Sequence, residues 1–318
     1  MSPRTHSHRI ACVALALLAM ATMFMSLPLS SARSAEASIE RRHDVFFELV
    51  EAHNTSPYSD FSRFVADKYQ EGFAAAVRGL GKKPVNVRDL EWLFRAARAA
   101  CFYTGQATHA DDMQKVLDQL AVKKSATEVH YSQMLDAYVK TRWFDKAEEI
   151  YRLHGNRSMA VLPKFGVMAI EAGNAPTELI VARDQRLLSR QIAPLPISPY
   201  VLVVSHPLCH FSQNAAAAIA QDAALSALFR DHAKWLAPVD LQLNFDVLQQ
   251  WNRDHQDGQI SIAYRSEEWP LIDSWATPTF YFIDGGNVKA KVEGWPKEGR
   301  VEELLDAART MGLLSGQP

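Results

Sequence analysis

Cysteine is scarce: three in 318 residues, too few for the disulfide framework of a small secreted scaffold. Cys12 lies in an N-terminal segment expected to be removed, so Cys101 and Cys209 remain. Two cysteines cannot supply a zinc-thiolate cage, and no spacing among the neighbouring histidines suggests a metal site. No cofactor is expected either. An excess of charge of one sign is also missing. Lys and Arg number 34 against 36 Asp and Glu, for a formal net charge of -2. Without a Lys/Arg block there is no basic patch to hold phosphates, which argues against nucleic acid as a partner. What is present, 48% hydrophobic and 22% charged residues, is a globular composition in a chain long enough for two domains.

The chain opens with Arg4 and Arg9, then runs uncharged from Ile10 to Leu29. Ser30-Ser31-Ala32 and Ala35-Glu36-Ala37 each offer a small-x-small cleavage pattern, so residues 1–37 are expected to be a signal peptide. Retention as an anchor is the competing reading, because the run approaches the ~20 residues that span a bilayer. Either way the remainder is exported. The expected location is periplasmic or secreted, with no membrane span after processing.

From Ser38 to Arg190 the apolar spacing predicts helices almost throughout. In YSQMLDAYVKTRWFDKAEEIYRLH, Met134, Leu135 and Tyr138 precede a break near Thr141-Arg142, and Phe144, Ala147, Ile150 and Tyr151 follow it. Two antiparallel helices are expected there. The line resembles a tetratricopeptide or pentatricopeptide unit. RAACFYTGQATHADDMQKVLDQL before it and FGVMAIEAGNAPTELIVARDQ after it are weaker echoes, offset by roughly 33 residues where such arrays expect ~34. A repeat-like domain over 38–190 would hold a peptide or protein partner; a plain hairpin bundle would only pack or dimerise. Cys101, on an alanine-rich helical face, reads as a small buried residue.

QIAPLPISP, residues 191–199, carries Pro194, Pro196 and Pro199, which deny a helix its donors. It predicts a linker, with 200–318 folding alone beyond it. There the period changes. Tyr200 to Ser205 reads as a buried strand, Cys209 to His232 as a helical run broken near Asp222, and Ile260 to Tyr264 as another strand. A hairpin is predicted over Thr279–Ile283 and Val288–Val292, turning at Asp284-Gly285-Gly286, with a closing helix over Glu298–Met311. The fold class expected is therefore an α-helical hairpin domain followed by an α/β domain, a mixed sheet with helices on both faces.

SHPLCHFSQN, residues 205–214, puts Cys209 where a strand turns into a helix. Unpaired N–H groups and the positive end of the helix dipole favour a thiolate there. His206 and His210 either tune that thiol when protonated or simply sit in solvent.

Two segments carry a more specific likeness. ATPTFYFIDGGNVKAKVEGWP resembles the cis-proline segment, hairpin and following glycine of the thioredoxin fold, and YVLVVSHPLCHFSQNA resembles its active-site strand, turn and helix. The likeness covers about residues 200–314. It implies that Cys209 is the nucleophile, and that Thr277-Pro278 is a cis bond whose Thr277 backbone lies beside the sulfur and pairs with an extended substrate. The sequence departs from the pattern at three places. Ser212 replaces the second cysteine, Leu208 stands where tryptophan is common, and Val203 stands where thioredoxins bury a carboxylate. These departures imply monothiol rather than dithiol exchange. Ser212 donates a hydrogen bond to the thiolate, and a second thiol, external or Cys101, resolves the mixed disulfide. The partners expected are a client protein or peptide, or glutathione. The alternative is a non-catalytic binding module that keeps the groove and has lost the chemistry. Peroxidase chemistry is disfavoured, because Pro207 before Cys209 does not reproduce the turn it needs.

Overall fold

The computed structural model describes residues 38–53, 58–157, 159–240 and 242–314. The expected export segment, 1–37, lies outside them. Helices come first: α1 (Ile39–His53), α2 (Tyr58–Gly72), α3 (Ala74–Arg78), α4 (Val87–Thr104), α5 (Ala107–Val122), α6 (Glu128–Lys140) and α7 (Phe144–His154). Local chemistry sets their ends. Asn86 caps α4 by accepting the Asp89 N–H at 2.8 Å, and Gly105 ends it in the left-handed region at φ 64°, where a side chain would be strained. The α4/α5 and α6/α7 pairs are helical hairpins, and α4 packs between α1 and α6. Ala96, Ala97 and Ala100, each fully buried, let α4 approach its neighbours closely. The predicted break falls at Thr141–Trp143, with Arg142 at φ 63°. No helix among the described residues is long and apolar enough to cross a membrane.

The helical stretch ends at His154, not at Arg190. The expected third hairpin is instead strands β1 (Lys164–Phe165), β2 (Thr177–Val181) and β3 (Leu187–Ile192). Gly166, Gly173 and Pro176 interrupt the helical spacing, and Thr177, Ile180 and Val181 suit a pleated surface better than a helix. Glu178 is the one charged residue of β2. It is wholly buried, bonded to Lys234 at 2.5 Å, to the Gln191 amide at 2.9 Å and to the Ser261 hydroxyl.

After the prolines come β4 (Tyr200–Val204), α8 (His210–Gln221), α9 (Ala223–His232), β5 (Ala233–Ala237), α10 (Phe245–Asp254), β6 (Ile260–Ala263), β7 (Thr279–Asp284), β8 (Asn287–Glu293) and α11 (Val301–Thr310). The eight strands among the described residues form one mixed sheet, ordered β1-β3-β2-β6-β5-β4-β7-β8. β4, β5 and β6 are parallel, and β7 runs antiparallel to β4. Gly285 and Gly286, at φ 55° and 74°, make the tight β7–β8 turn. Because β2 pairs with both β3 and β6, the proline segment joins two strands of one sheet. It does not separate a helical half from the sheet.

β4 shows how the sheet is covered on both faces. Val201 and Val203 join a core cluster that also contains Phe46, Met134, Leu179 and Leu304. Tyr200, Leu202 and Val204 join a second cluster with Trp269 and Ile283. The alternation follows from the two-residue period of a strand.

Candidate functional site around Cys209

β4 ends at the carboxyl edge of the parallel strands, where the Ser205 N–H still donates to Leu236 O at 2.9 Å. The chain then turns. The Cys209 N–H donates to His206 O at 3.0 Å, and the Gln213 N–H donates to Cys209 O at 3.0 Å, opening α8. The Gln213 side-chain amide ties back to Pro207 O at 2.6 Å. Cys209 is thus the N-cap of α8, held by bonds on both sides of the turn.

Its thiol donates to the carbonyl oxygen of Thr277 at 3.2 Å, and the Thr277–Pro278 peptide is cis. The flanking bonds fix that carbonyl: Thr279 Oγ1 donates to Ala276 O at 2.7 Å, and the Gly294 N–H donates to Pro278 O at 2.8 Å. Ser212, one turn into the helix, is fully buried. Its Oγ accepts the His206 N–H at 3.4 Å, which leaves its own proton for the sulfur. Partial burial of Cys209 pushes its pKa up. Hydrogen bonds from the Thr277 side chain, the Ser212 N–H and hydroxyl, and the Phe211 N–H outweigh that and hold the thiol below its ordinary value.

The structure brings Ser212, Thr277 and Pro278 to Cys209, but not the histidine rings. His206 turns Nδ1 back to accept the Leu208 N–H at 3.1 Å. Burial lowers its pKa, against an opposing pull from Asp240. His210 is exposed and lies against Phe211, with ring centroids 3.8 Å apart. The N–H of Phe211 and the carboxylate of Asp240 were not singled out in the sequence. The first could have been found from the N-cap geometry alone, since any N-cap sulfur faces the N–H groups of the first turn.

Both described cysteines are free. Cys101 is buried, and burial pushes its pKa up to about 12, the opposite of Cys209. Among the described residues no group of three or more His, Cys, Asp or Glu side chains could hold a metal. Comparison of the chain with protein-family models, curated proteins and solved structures finds no match.

Proposed function

We propose that residues 200–314 form a thioredoxin-like unit of an exported protein, in which Cys209 performs monothiol thiol–disulfide exchange on protein or small-molecule disulfides. The observation that carries this reading is an N-cap thiol with a depressed pKa, 3.2 Å from the carbonyl before a cis-proline. The strand order β5-β4-β7-β8, with a parallel inner pair and an antiparallel hairpin, supports the likeness read from the two sequence motifs.

In the exchange the Cys209 thiolate attacks one sulfur of a disulfide, RS–SR′. A Cys209–S–S–R bond forms, the RS–SR′ bond breaks, and R′S⁻ leaves with the electron pair and takes a proton from water. With serine at position 212 no adjacent thiol expels the bound partner, and the mixed disulfide persists until an external thiol attacks it. Burial of Cys101 disfavours it in that role. Leu208 and Phe211, 59% and 44% exposed, flank the sulfur and offer apolar contact to a substrate. The Thr277 N–H donates to nothing among the described residues, leaving it for the backbone of an extended segment. Export, and with it a periplasmic or secreted location, rests on the expected processing of residues 1–37.

The test is pH-dependent alkylation of Cys209, followed by mass spectrometry after incubation with glutathione disulfide. A midpoint below the ~8.5 of a free cysteine and a stable adduct on Cys209, absent in Cys209→Ala, are expected. An ordinary midpoint with no adduct would leave the non-catalytic binding module.

A further inference from the structure

Every backbone N–H in the turn that delivers Cys209 has a place. Between β4 and α8 the Ser205 N–H donates to Leu236 O at 2.9 Å, and the Cys209 N–H donates to His206 O at 3.0 Å. The His206 N–H donates to Ser212 Oγ at 3.4 Å, and Pro207 has no N–H to place. The remaining donor is the Leu208 N–H, and it goes to a side chain, His206 Nδ1, at 3.1 Å. Asparagine and aspartate build tight turns in this way, by accepting from the backbone two residues on. Here an imidazole does it, so one bond of the turn can titrate.

An acceptor nitrogen must be unprotonated. His206 is therefore the neutral ring with its proton on Nε2. A second proton turns Nδ1 into a donor facing the Leu208 N–H, and the bond is lost. Leu208 is 59% exposed, so water takes up the released N–H and the fold survives. What shifts is the turn that holds the sulfur 3.2 Å from Thr277 O. The Gln213 amide on Pro207 O, at 2.6 Å, is a second side-chain tie on the same turn but does not titrate.

We propose that His206 is a positioning residue for Cys209: its neutral ring locks the Leu208 N–H, and protonation releases the turn and slows the reaction of a given amount of thiolate. Its link to catalysis rests on the exchange reading for Cys209. Among the described residues the charged group acting on the ring is Asp240, beyond β5, which favours protonation. Burial opposes it more strongly and holds the pKa below its ordinary value. Asp240 also acts on Lys140 and Arg142 of the α6–α7 turn. The titratable neighbours within the turn are turned elsewhere, Cys209 to Thr277 O and His210 to the Phe211 ring. The lock is thus complete above the ~6.5 of an ordinary histidine and is lost as pH falls through the lower midpoint of His206. A ring acting on the sulfur as a charge would instead change how much thiolate forms, not how fast it reacts.

The experiment uses the full chain. Rates of mixed-disulfide formation with hydroxyethyl disulfide, a neutral reagent, are measured from pH 5 to pH 8. Each is divided by the thiolate fraction from an ultraviolet titration, with Cys209→Ala subtracted. Proton NMR of the His206 ring, assigned by comparison with His206→Asn, gives its midpoint. The rate per thiolate should fall about fivefold as pH drops through that midpoint, the scale of one hydrogen bond. His206→Asn keeps an acceptor for the Leu208 N–H and does not titrate, so its rate per thiolate should hold the neutral-pH level throughout. His206→Ala, without an acceptor, should be slow at every pH. A flat wild-type profile, or an Asn variant as slow as the Ala variant, would overturn the proposal. Hydrogen-exchange protection of the Leu208 amide is read in the same samples. It should be lost below the His206 midpoint in wild type, absent in His206→Ala and retained in His206→Asn. If wild type forms no adduct at any pH while this protection follows His206, the exchange reading fails and the lock stands. Protection indifferent to His206 would sink the lock itself.

Discussion

Ser212 Oγ accepts one hydrogen bond, from the His206 N–H at 3.4 Å, and its proton is one of four donors that hold the Cys209 thiol below its ordinary pKa. Ser212→Ala removes the hydroxyl and leaves the backbone donors. The Cys209 midpoint should rise, read as a rightward shift of the alkylation profile. The thiolate fraction at neutral pH then falls, and adduct formation slows. Ser212→Cys should instead shorten the life of the mixed disulfide by supplying the adjacent thiol. An unshifted profile in Ser212→Ala would mean that the backbone N–H groups alone set the thiol. At this scale half of the site was legible. A cysteine between an apolar strand and an alanine-rich helix announces an N-cap thiol. Thr277, 68 residues away, could be tied to it only through likeness to a known pattern, because no local signal in ATPTF points to SHPLCHF. His206 and His210 show the converse, since nearness in sequence did not bring their rings to the sulfur. A residue opening a helix sends its side chain where the first turn directs it, and His206 is spent on the turn itself.

The α4–α5 corner is built on a polar cluster. Thr104 Oγ1 donates to Ala100 O at 2.7 Å and accepts the Gln106 N–H at 3.1 Å. With its proton committed, it takes His109 Nδ1–H at 2.8 Å, and the Tyr69 ring meets the imidazole edge to face, with centroids 4.9 Å apart. Burial lowers the His109 pKa to about 4, against a smaller pull from Asp112. The unfolded chain accepts a proton near pH 6.5 that the folded chain refuses. This contribution to stability is therefore complete above 6.5 and is lost as pH falls towards 4, by up to roughly 3 kcal/mol. His109→Asn, which retains a donor for Thr104, should flatten the acid side of the profile measured by urea unfolding at pH 7 and pH 5. A profile as steep as that of wild type would place the acid sensitivity elsewhere. Elements of this kind were legible where the apolar spacing ran undisturbed, as in the α6–α7 hairpin and the β7–β8 hairpin with its two glycines. TELIV, expected within the helical stretch, is a strand whose one charge, Glu178, is buried. The Lys234 and Ser261 that satisfy it lie on strands far along the chain, and long-range pairing of that sort has no local signature.

Helices and sheet meet through two buried cations of the α6–α7 turn. Arg142, 6% exposed, donates from Nε to Tyr264 O at 2.8 Å, and from its two terminal nitrogens to Ala263 O at 2.7 Å and Val139 O at 3.2 Å. Lys140 Nζ donates to Val239 O, at the end of the neighbouring strand. Each closes off carbonyls at the carboxyl edge of the parallel strands, the edge from which Cys209 projects. The apolar core crosses the same boundary, since Phe46 and Met134 of the helices share a cluster with Val201 and Leu304. Residues 38–314 should accordingly unfold as one unit. Arg142→Met keeps the length of the side chain but leaves the Tyr264 and Ala263 carbonyls without their side-chain donor, while Val139 O keeps the Arg142 backbone N–H at 3.2 Å. It should cost about 3 kcal/mol. Loss of helical circular dichroism should shift to lower denaturant by the same amount as loss of near-ultraviolet signal from Trp235, Trp251 and Trp295 of the sheet half. Limited proteolysis in the 193–199 segment offers the sharper discrimination. The proline run invites a reading of two independent halves, in which 200–318 survives cleavage as a folded fragment. With β2 paired to β6 and Leu179 buried in the shared cluster, cutting there strips strands from the sheet, and the products should be degraded together. A protease-resistant C-terminal fragment with its own cooperative transition would show that the sheet from β4 onward carries a sufficient core. The contacts of Arg142 and β2 would then be additions to a domain already complete.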